Sequence, residues 1–331
     1  MKHFCLAIFS AFSMLFVGSV FAAHKDGHPD QNDVADWKSS KAVEVFVASE
    51  AGGGSDEIAR FISSIVEKER LADQPLVVLN KPGNSGAEAL MHLANANDPN
   101  HTIMVNFDPF FTTPLTQPDL GLDIQDFTPI GRMAEDTLLL WVNKDDKIQQ
   151  FQQFLDEAGK SGTSWAMGGS EVAQADAAIT GYLNDKFDLS VEFIPYTGDD
   201  SIVEDLAEKQ VRSLFLNPST AMKYYKSGDF VPLVSFSDER LPMFPDTPTI
   251  KEVGGEISYT RPSLVVGAPG MSSAALTYYT NLFSDIFESS EWQNYKTTNS
   301  LWGDFIGGSE LRSYWRTQQS DNDGVAKLNV R

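Results

Sequence analysis

The sequence predicts an α/β protein of two domains, and three observations carry the prediction. Strand-like apolar runs alternate with helix-period segments, which implies parallel sheets with crossovers. Glycine-rich turns of similar chemistry link strand to helix at 52–55 and again at 168–170. A chain of 331 residues also exceeds one ordinary hydrophobic core.

The first unit begins at Val43, Val45 and Val47, β-branched residues that favour a strand. Gly52, Gly53 and Gly54 then permit a tight turn and clear side chains from its backbone. Ser55 and Asp56 are N-cap types, and Ile58, Phe61, Ile62 and Ile65 follow at helical spacing. Such a turn aims free N–H groups and the positive end of a helix dipole at one spot, which suits a carboxylate or a phosphate. It lacks the Lys-Ser/Thr of a P-loop, and Glu57 stands where G-x-G-x-x-G needs its last glycine. A plain strand-to-helix turn is the alternative.

Leu76 to Leu79 reads as a strand, Asn80 to Gly86 as a turn and Ala87 to Asn95 as a helix. Thr102 to Phe107 is a strand that ends in Asp108-Pro109. The wholly apolar run Leu138 to Val142 fits a strand buried on both faces. A helix over 148–158 and a strand over 163–167 come next, and Gly168-Gly169-Ser170 opens a helix to about Leu183. Val191 to Tyr196 is a strand, 197–200 a turn and 201–208 a helix. Strands over 211–216, 231–236 and 264–267 precede a helix over 272–287. In open α/β sheets ligands bind at the carboxyl ends of strands, so two facing sheets would bring both glycine turns to one cleft. Otherwise each turn serves only its own helix.

Lys2, the apolar stretch from Cys5 to Phe21 and Val20-Phe21-Ala22 fit a signal peptide over 1–22. Ser10, Ser13, Gly18 and Ser19 interrupt the run and argue against a membrane anchor. The single cysteine, Cys5, leaves with that peptide, so no disulfide is expected. Residues 23–40 look like a flexible leader, with a metal-binding reading of His24 and His28 as its alternative. A net charge of −21 argues against nucleic acid and anionic lipid as partners. The histidines beyond the signal are His24, His28, His92 and His101, poor material for a Ser-His-Asp triad. Gly168-Gly169-Ser170-Glu171-Val172 is not a nucleophile elbow. The chain is expected not to be an enzyme and to need no cofactor or metal. A secreted α/β hydrolase is the alternative.

Six segments together resemble the periplasmic substrate-binding proteins of the tripartite tricarboxylate transporters, the Bug receptors. They are Gly52-Gly53-Gly54-Ser55-Asp56, Asn80-Lys81-Pro82-Gly83-Asn84-Ser85-Gly86, Asp126 to Arg132, Ile194-Pro195-Tyr196-Thr197-Gly198, Phe244 to Gly254, and Ala268-Pro269-Gly270. The resemblance implies a type II periplasmic-binding-protein fold, two α/β domains around a ligand cleft with two crossover hinge strands. Domain 1 would be 41–134 plus 257–331, and domain 2 would be 135–256. It further implies a monomer that binds a small organic carboxylate and hands it to membrane transporter subunits. A ligand sensor for a membrane kinase would use the same fold.

The first-domain contacts implied are Ser49, Glu50, Gly53, Gly54 and Ser55, then Asn84 and Ser85, then Asp108 and Phe110. Those of the second domain are Gly169, Ser170, Tyr196, Thr197 and Asn217, while Asp56 is expected to cap its helix. Arg261 lies just before the returning strand, near where some relatives place a cleft arginine, and faces either cleft or solvent. The chain departs from the family at Ala48-Ser49-Glu50-Ala51, at Asn106 to Phe110 and at Gly168-Gly169-Ser170-Glu171. Glu50, Asp108 and Glu171 would add negative charge to the cleft or point away from it. In the cleft they fit a ligand with a cationic group, a metal-bridged carboxylate or a neutral polar molecule.

Overall fold

The computed structural model describes residues 37–170, 174–196 and 199–328. The expected signal peptide and most of the expected leader lie outside them. Trp37 and Ser39, expected within the leader, are instead packed. The Trp37 ring meets His101, Tyr278 and Tyr279, and the Ser40 N–H donates to His101 Nε2 at 3.2 Å.

The first sheet contains β1 (Val43–Val47), β2 (Leu76–Asn80), β3 (Thr102–Asn106), β4 (Thr128–Thr137) and β10 (Thr260–Gly267), in the order β2-β1-β3-β10-β4. Its helices are α1 (Gly54–Glu69), α2 (Ala87–Ala94), α3 (Pro109–Thr116), α8 (Ser273–Glu288), α9 (Ser290–Thr298) and α10 (Gly308–Leu328). The second sheet contains β5 (Leu139–Asn143), β6 (Ala166–Ser170), β7 (Glu192–Tyr196), β8 (Ser213–Leu216) and β9 (Phe230–Ser235), in the order β7-β6-β8-β5-β9. Its helices are α4 (Phe151–Ser161), α5 (Gln174–Phe187), α6 (Asp199–Ala207) and α7 (Pro218–Ser227).

Strand periodicity sorts side chains between the faces of each sheet. Val43, Val45 and Val47 pack with Ile58, Ile62 and Ile65 of α1, whereas Phe46 joins Leu90, Leu93 and Trp315 on the other face. Leu140 and Val142 of β5 pack with Phe154 and Ile179, and Leu139 and Trp141 with Ile202 and Phe244. The apolar run at 138–142 is therefore buried on both faces.

The sheets are mixed, not parallel throughout. β10 is antiparallel to β3 and β4, and β5 is antiparallel to β8 and β9. Each reversed strand enters its sheet from the other domain, so it starts at the cleft end while its neighbours finish there. Gly168, Gly169 and Ser170 are strand residues, not the turn expected. β6 pairs with β7 through Gly169↔Pro195 and Ser170↔Tyr196. The glycines are required by packing: a Cβ on Gly168 would lie 2.9 Å from Ile202, and one on Gly169 2.6 Å from Phe193. α4 also starts later than expected, at Phe151, behind a capping box of Gln150 and Gln153.

Two chain crossings form the hinge. β4 runs directly into β5, and the stretch after β9 returns through Tyr259 into β10. They are tied by Phe236 N–H to the Leu138 carbonyl at 3.0 Å, Tyr259 N–H to the Phe236 carbonyl at 2.7 Å and the Thr137 hydroxyl to the Tyr259 carbonyl at 2.5 Å. A third link comes from Trp302. It pairs backbone to backbone with Glu135 while its ring packs on the Leu139–Trp141 cluster of the second domain.

Candidate functional site

Three first-domain segments meet at the cleft end of the sheet. The first, after β1, is an internally bonded turn. Ser49 Oγ accepts from Ser55 Oγ at 2.9 Å and from the Asp56 N–H at 3.2 Å. Asp56 does not cap the first turn of α1 with its side chain. Its carboxylate accepts from the Gly52 N–H at 2.9 Å, Arg60 Nε at 2.9 Å and Asn80 Nδ2 at 2.9 Å. Arg60, helped by Gly52 and Asn80, lowers its pKa to about 2 against the opposing effect of burial. α1 has Gly53 as N-cap with no side-chain cap. The N–H groups of Gly54 and Ser55 have no acceptor among the described residues, which leaves an anion-compatible helix start. Glu50 sits beside it, exposed.

The second segment runs through four consecutive positive φ angles, Gly83 (130°), Asn84 (47°), Ser85 (54°) and Gly86 (92°). For Asn84 and Ser85 this is the sparsely populated left-handed region, a local strain of the kind found in ligand clamps. Thr113 Oγ1 donates to the Ser85 carbonyl at 2.7 Å, and Gln117 Nε2 to that of Asn84 at 2.9 Å. Asn84 Nδ2 is directed to Glu88 Oε1. A Cβ on Gly86 would stand 2.7 Å from Pro109, so this turn abuts the third segment.

That third segment follows β3. Phe107 lies against Gly54, with 3.6 Å from its ring to where a Cβ would stand. Asn106 is 1% exposed; its Oδ1 accepts from the Phe107 N–H, and its Nδ2 has no acceptor among the described residues. Buried polar atoms left without partners are rare in native proteins and mark places that await one. Phe110 is not a cleft residue. It is fully buried against Phe111, Phe127 and Trp315, because α3 turns that side of its helix into the core.

Asp108 brings the hinge into the same place. Its Oδ2 accepts from Arg261 Nε at 3.0 Å and from the Tyr259 hydroxyl at 2.9 Å. Arg261 and Asp136 are cross-strand partners in β10 and β4, so their side chains share a face. Arg261 thus lies between Asp108 and Asp136 at the interdomain crossing, and its side chain stays 39% exposed against 19% for Asp108. Asp108, then Tyr259 and Asp136, raise the Arg261 pKa. Burial pushes the Asp136 carboxyl up, against the pull of Arg261 and Asn217. Burial, with Asp108 next, raises the Tyr259 phenol well above its ordinary value.

The second domain contributes Asn217, the N-cap of α7. Its Nδ2 donates to Asp136 Oδ2 at 3.0 Å, and its Oδ1 accepts from the Thr220 N–H. Gly169 meets Asp176, whose Cβ lies 2.8 Å from where a glycine Cβ would stand, and Asp176 acts electrostatically on Tyr259. A chain of contacts thus runs from Gly54 through Phe107 and Asp108 to Tyr259. Tyr196 is turned away to α6, where its hydroxyl donates to Asp205 Oδ2 at 2.5 Å. Burial first, then Asp205, pushes that phenol up to about 12. Thr197 and Glu171 lie outside the described residues. Sequence reasoning missed Asp136, Tyr259, Asp176 and Asn106. The signal for Asp136 was a charged pair, Glu135-Asp136, set just before an apolar run.

A cavity of about 660 Å³ opens elsewhere, on the flank formed by Phe46, Val77, Leu79 and His92, and shares no residue with this network. Among the described residues no group of three His, Cys, Asp or Glu could hold a metal, and no helix is long and apolar enough to cross a membrane.

Two sheets bridged by crossing strands, with a polar cluster at the crossing, define a two-domain binding protein. The chain belongs to the tripartite tricarboxylate transporter receptor family, whose profile matches residues 58–292. A UPF0065 protein of Bordetella pertussis is 28% identical over 68% of this chain and 69% of its own. A TctC solute-binding protein from Polaromonas superposes with a TM-score of 0.76 at 21% identity, covering 87% of this chain and 98% of that one. An R. palustris protein determined with adipate does so at 0.69 and 21% identity, covering 88% and 98%.

Proposed function

We infer that this protein is a periplasmic solute receptor. It binds a small organic carboxylate, or an amphoteric compound bearing one, between its domains and delivers it to a tripartite tricarboxylate-type membrane transporter. One observation carries the reading: Arg261 stands at the interdomain crossing with its Nε engaged by Asp108, its side chain 39% exposed, and no hydrogen bond from its terminal Nη groups among the described residues. A guanidinium edge of that kind is matched to a carboxylate. Family membership and the uncapped start of α1 support the same ligand chemistry. On this reading domain 1 comprises 41–134 plus 257–331, domain 2 comprises 135–256, and 1–22 is removed on export.

The chain acts by binding and releasing, with no turnover. A thermal-shift screen of organic acids and amino acids tests this. A ligand at 100 times its dissociation constant should add about 2.7 kcal/mol of stability. Absence of any stabilising carboxylate, or chemical consumption of the one that binds, would overturn the reading.

A further inference from the structure

We propose that the cleft takes a carboxylate that also carries a positively charged nitrogen, and turns away di- and tricarboxylates, because Asp108 and Asp136 outnumber Arg261 on its floor. The proposal rests on the receptor reading above and narrows its ligand class.

The three groups are held together by the fold. Register sets Arg261 beside Asp136 across β10 and β4, and the loop after β3 delivers Asp108 to Arg261 Nε at 3.0 Å. Tyr259, two residues before Arg261 and so on the same face, donates to the same Asp108 oxygen at 2.9 Å. Asp136 is fixed in turn by Asn217 Nδ2 at 3.0 Å and the Thr137 N–H at 2.8 Å. Among the described residues Arg261 pairs with Asp108, and no Lys or Arg lies within ion-pair distance of Asp136.

This arrangement has two sides. Asp108 engages the guanidinium through Nε and leaves the end-on pair of Nη groups for one ligand carboxylate. The Asp108 carboxylate beside that pair disfavours a second ligand carboxylate, and Asp108 and Asp136 together offer acceptor oxygens to an ammonium. Selectivity of this kind comes from the repulsive element as much as from the attractive one.

Titration calorimetry on the secreted chain decides it with matched probes. Diacids from succinate to adipate are compared with the ω-amino and α-amino monocarboxylic acids of equal carbon count and with the plain monoacids. At the best-bound length an amino acid should bind at least tenfold tighter than both the diacid and the monoacid. Asp108→Asn and Asp136→Asn should each tighten the diacid about tenfold and weaken the amino acid about tenfold. Thermal unfolding near the wild-type midpoint confirms that both variants are folded. A diacid that binds as tightly as its amino acid overturns the proposal, as does an amino acid no tighter than the monoacid, or a preference that neither substitution moves. If diacids bind and amino acids do not, the carboxylate receptor stands and this inference falls. If no carboxylate binds at all, both fall.

Discussion

Arg261 is anchored on one edge and open on the other, so its removal should act mainly on ligand. A charge-assisted hydrogen bond is worth about 1.5–3 kcal/mol, and 1.4 kcal/mol is a factor of ten. Arg261→Ala should therefore weaken carboxylate binding about tenfold or more in titration calorimetry; an unchanged affinity would put the guanidinium outside the site. Asp56 makes the opposite case, a charge used inside the turn. Its folded pKa of about 2 lies below the ordinary carboxylate value. The stability it contributes is complete above that ordinary value and is lost as pH falls through about 2. Asp56→Asn should destabilise at pH 7 by about 1–3 kcal/mol, since Arg60 and Gly52 lose a charged acceptor. Urea unfolding should show the gap to wild type closing between about pH 4 and pH 2. A gap constant across that range would contradict the depressed pKa.

At the scale of elements, glycine matters where two pieces of backbone approach. A methyl on Gly169 would meet Phe193 at 2.6 Å and Asp176 at 2.8 Å, both partners held in place by β7 and α5. Gly169→Ala should cost about 1–3 kcal/mol by overpacking, visible as a lower urea midpoint with an unchanged slope. A neutral result would mean that α5 moves aside freely. These contacts also explain which parts of the fold the sequence disclosed. Runs such as Val43 to Val47 and Leu138 to Val142 announce themselves because their side chains alone dictate burial. β4 does not, since Pro129, Gly131, Arg132, Glu135 and Asp136 break the pattern and its strand form depends on pairing with β10. α3 and α7 begin with Pro109 and Pro218, and Pro114 sits inside α3, so their periodicity is obscured. The site was legible to the same extent. Asp108, Asn217 and Arg261 each follow or precede a recognisable strand, whereas Tyr259, Asp136 and Asp176 meet them only through long-range register and packing.

For the whole molecule, the hinge sets what ligand can do. β4–β5, the return through Tyr259 and the Trp302 contact all pass close to Asp136, so a ligand on Arg261 acts at the pivot. Saturating ligand should reduce the radius of gyration in solution scattering and raise the unfolding midpoint together. Stabilisation without contraction would argue against domain closure. The packing of Trp37 has a separate consequence. β1 and β3 run parallel, with the glycine turn and Asp108 at their far ends, and Trp37 sits on His101, just before β3 begins. A five-residue strand, about 17 Å of chain, therefore separates the point where the folded body starts from the cleft. The protein has a mouth and a heel. The described chain enters the folded body at the heel, at the opposite end of β3 from the mouth.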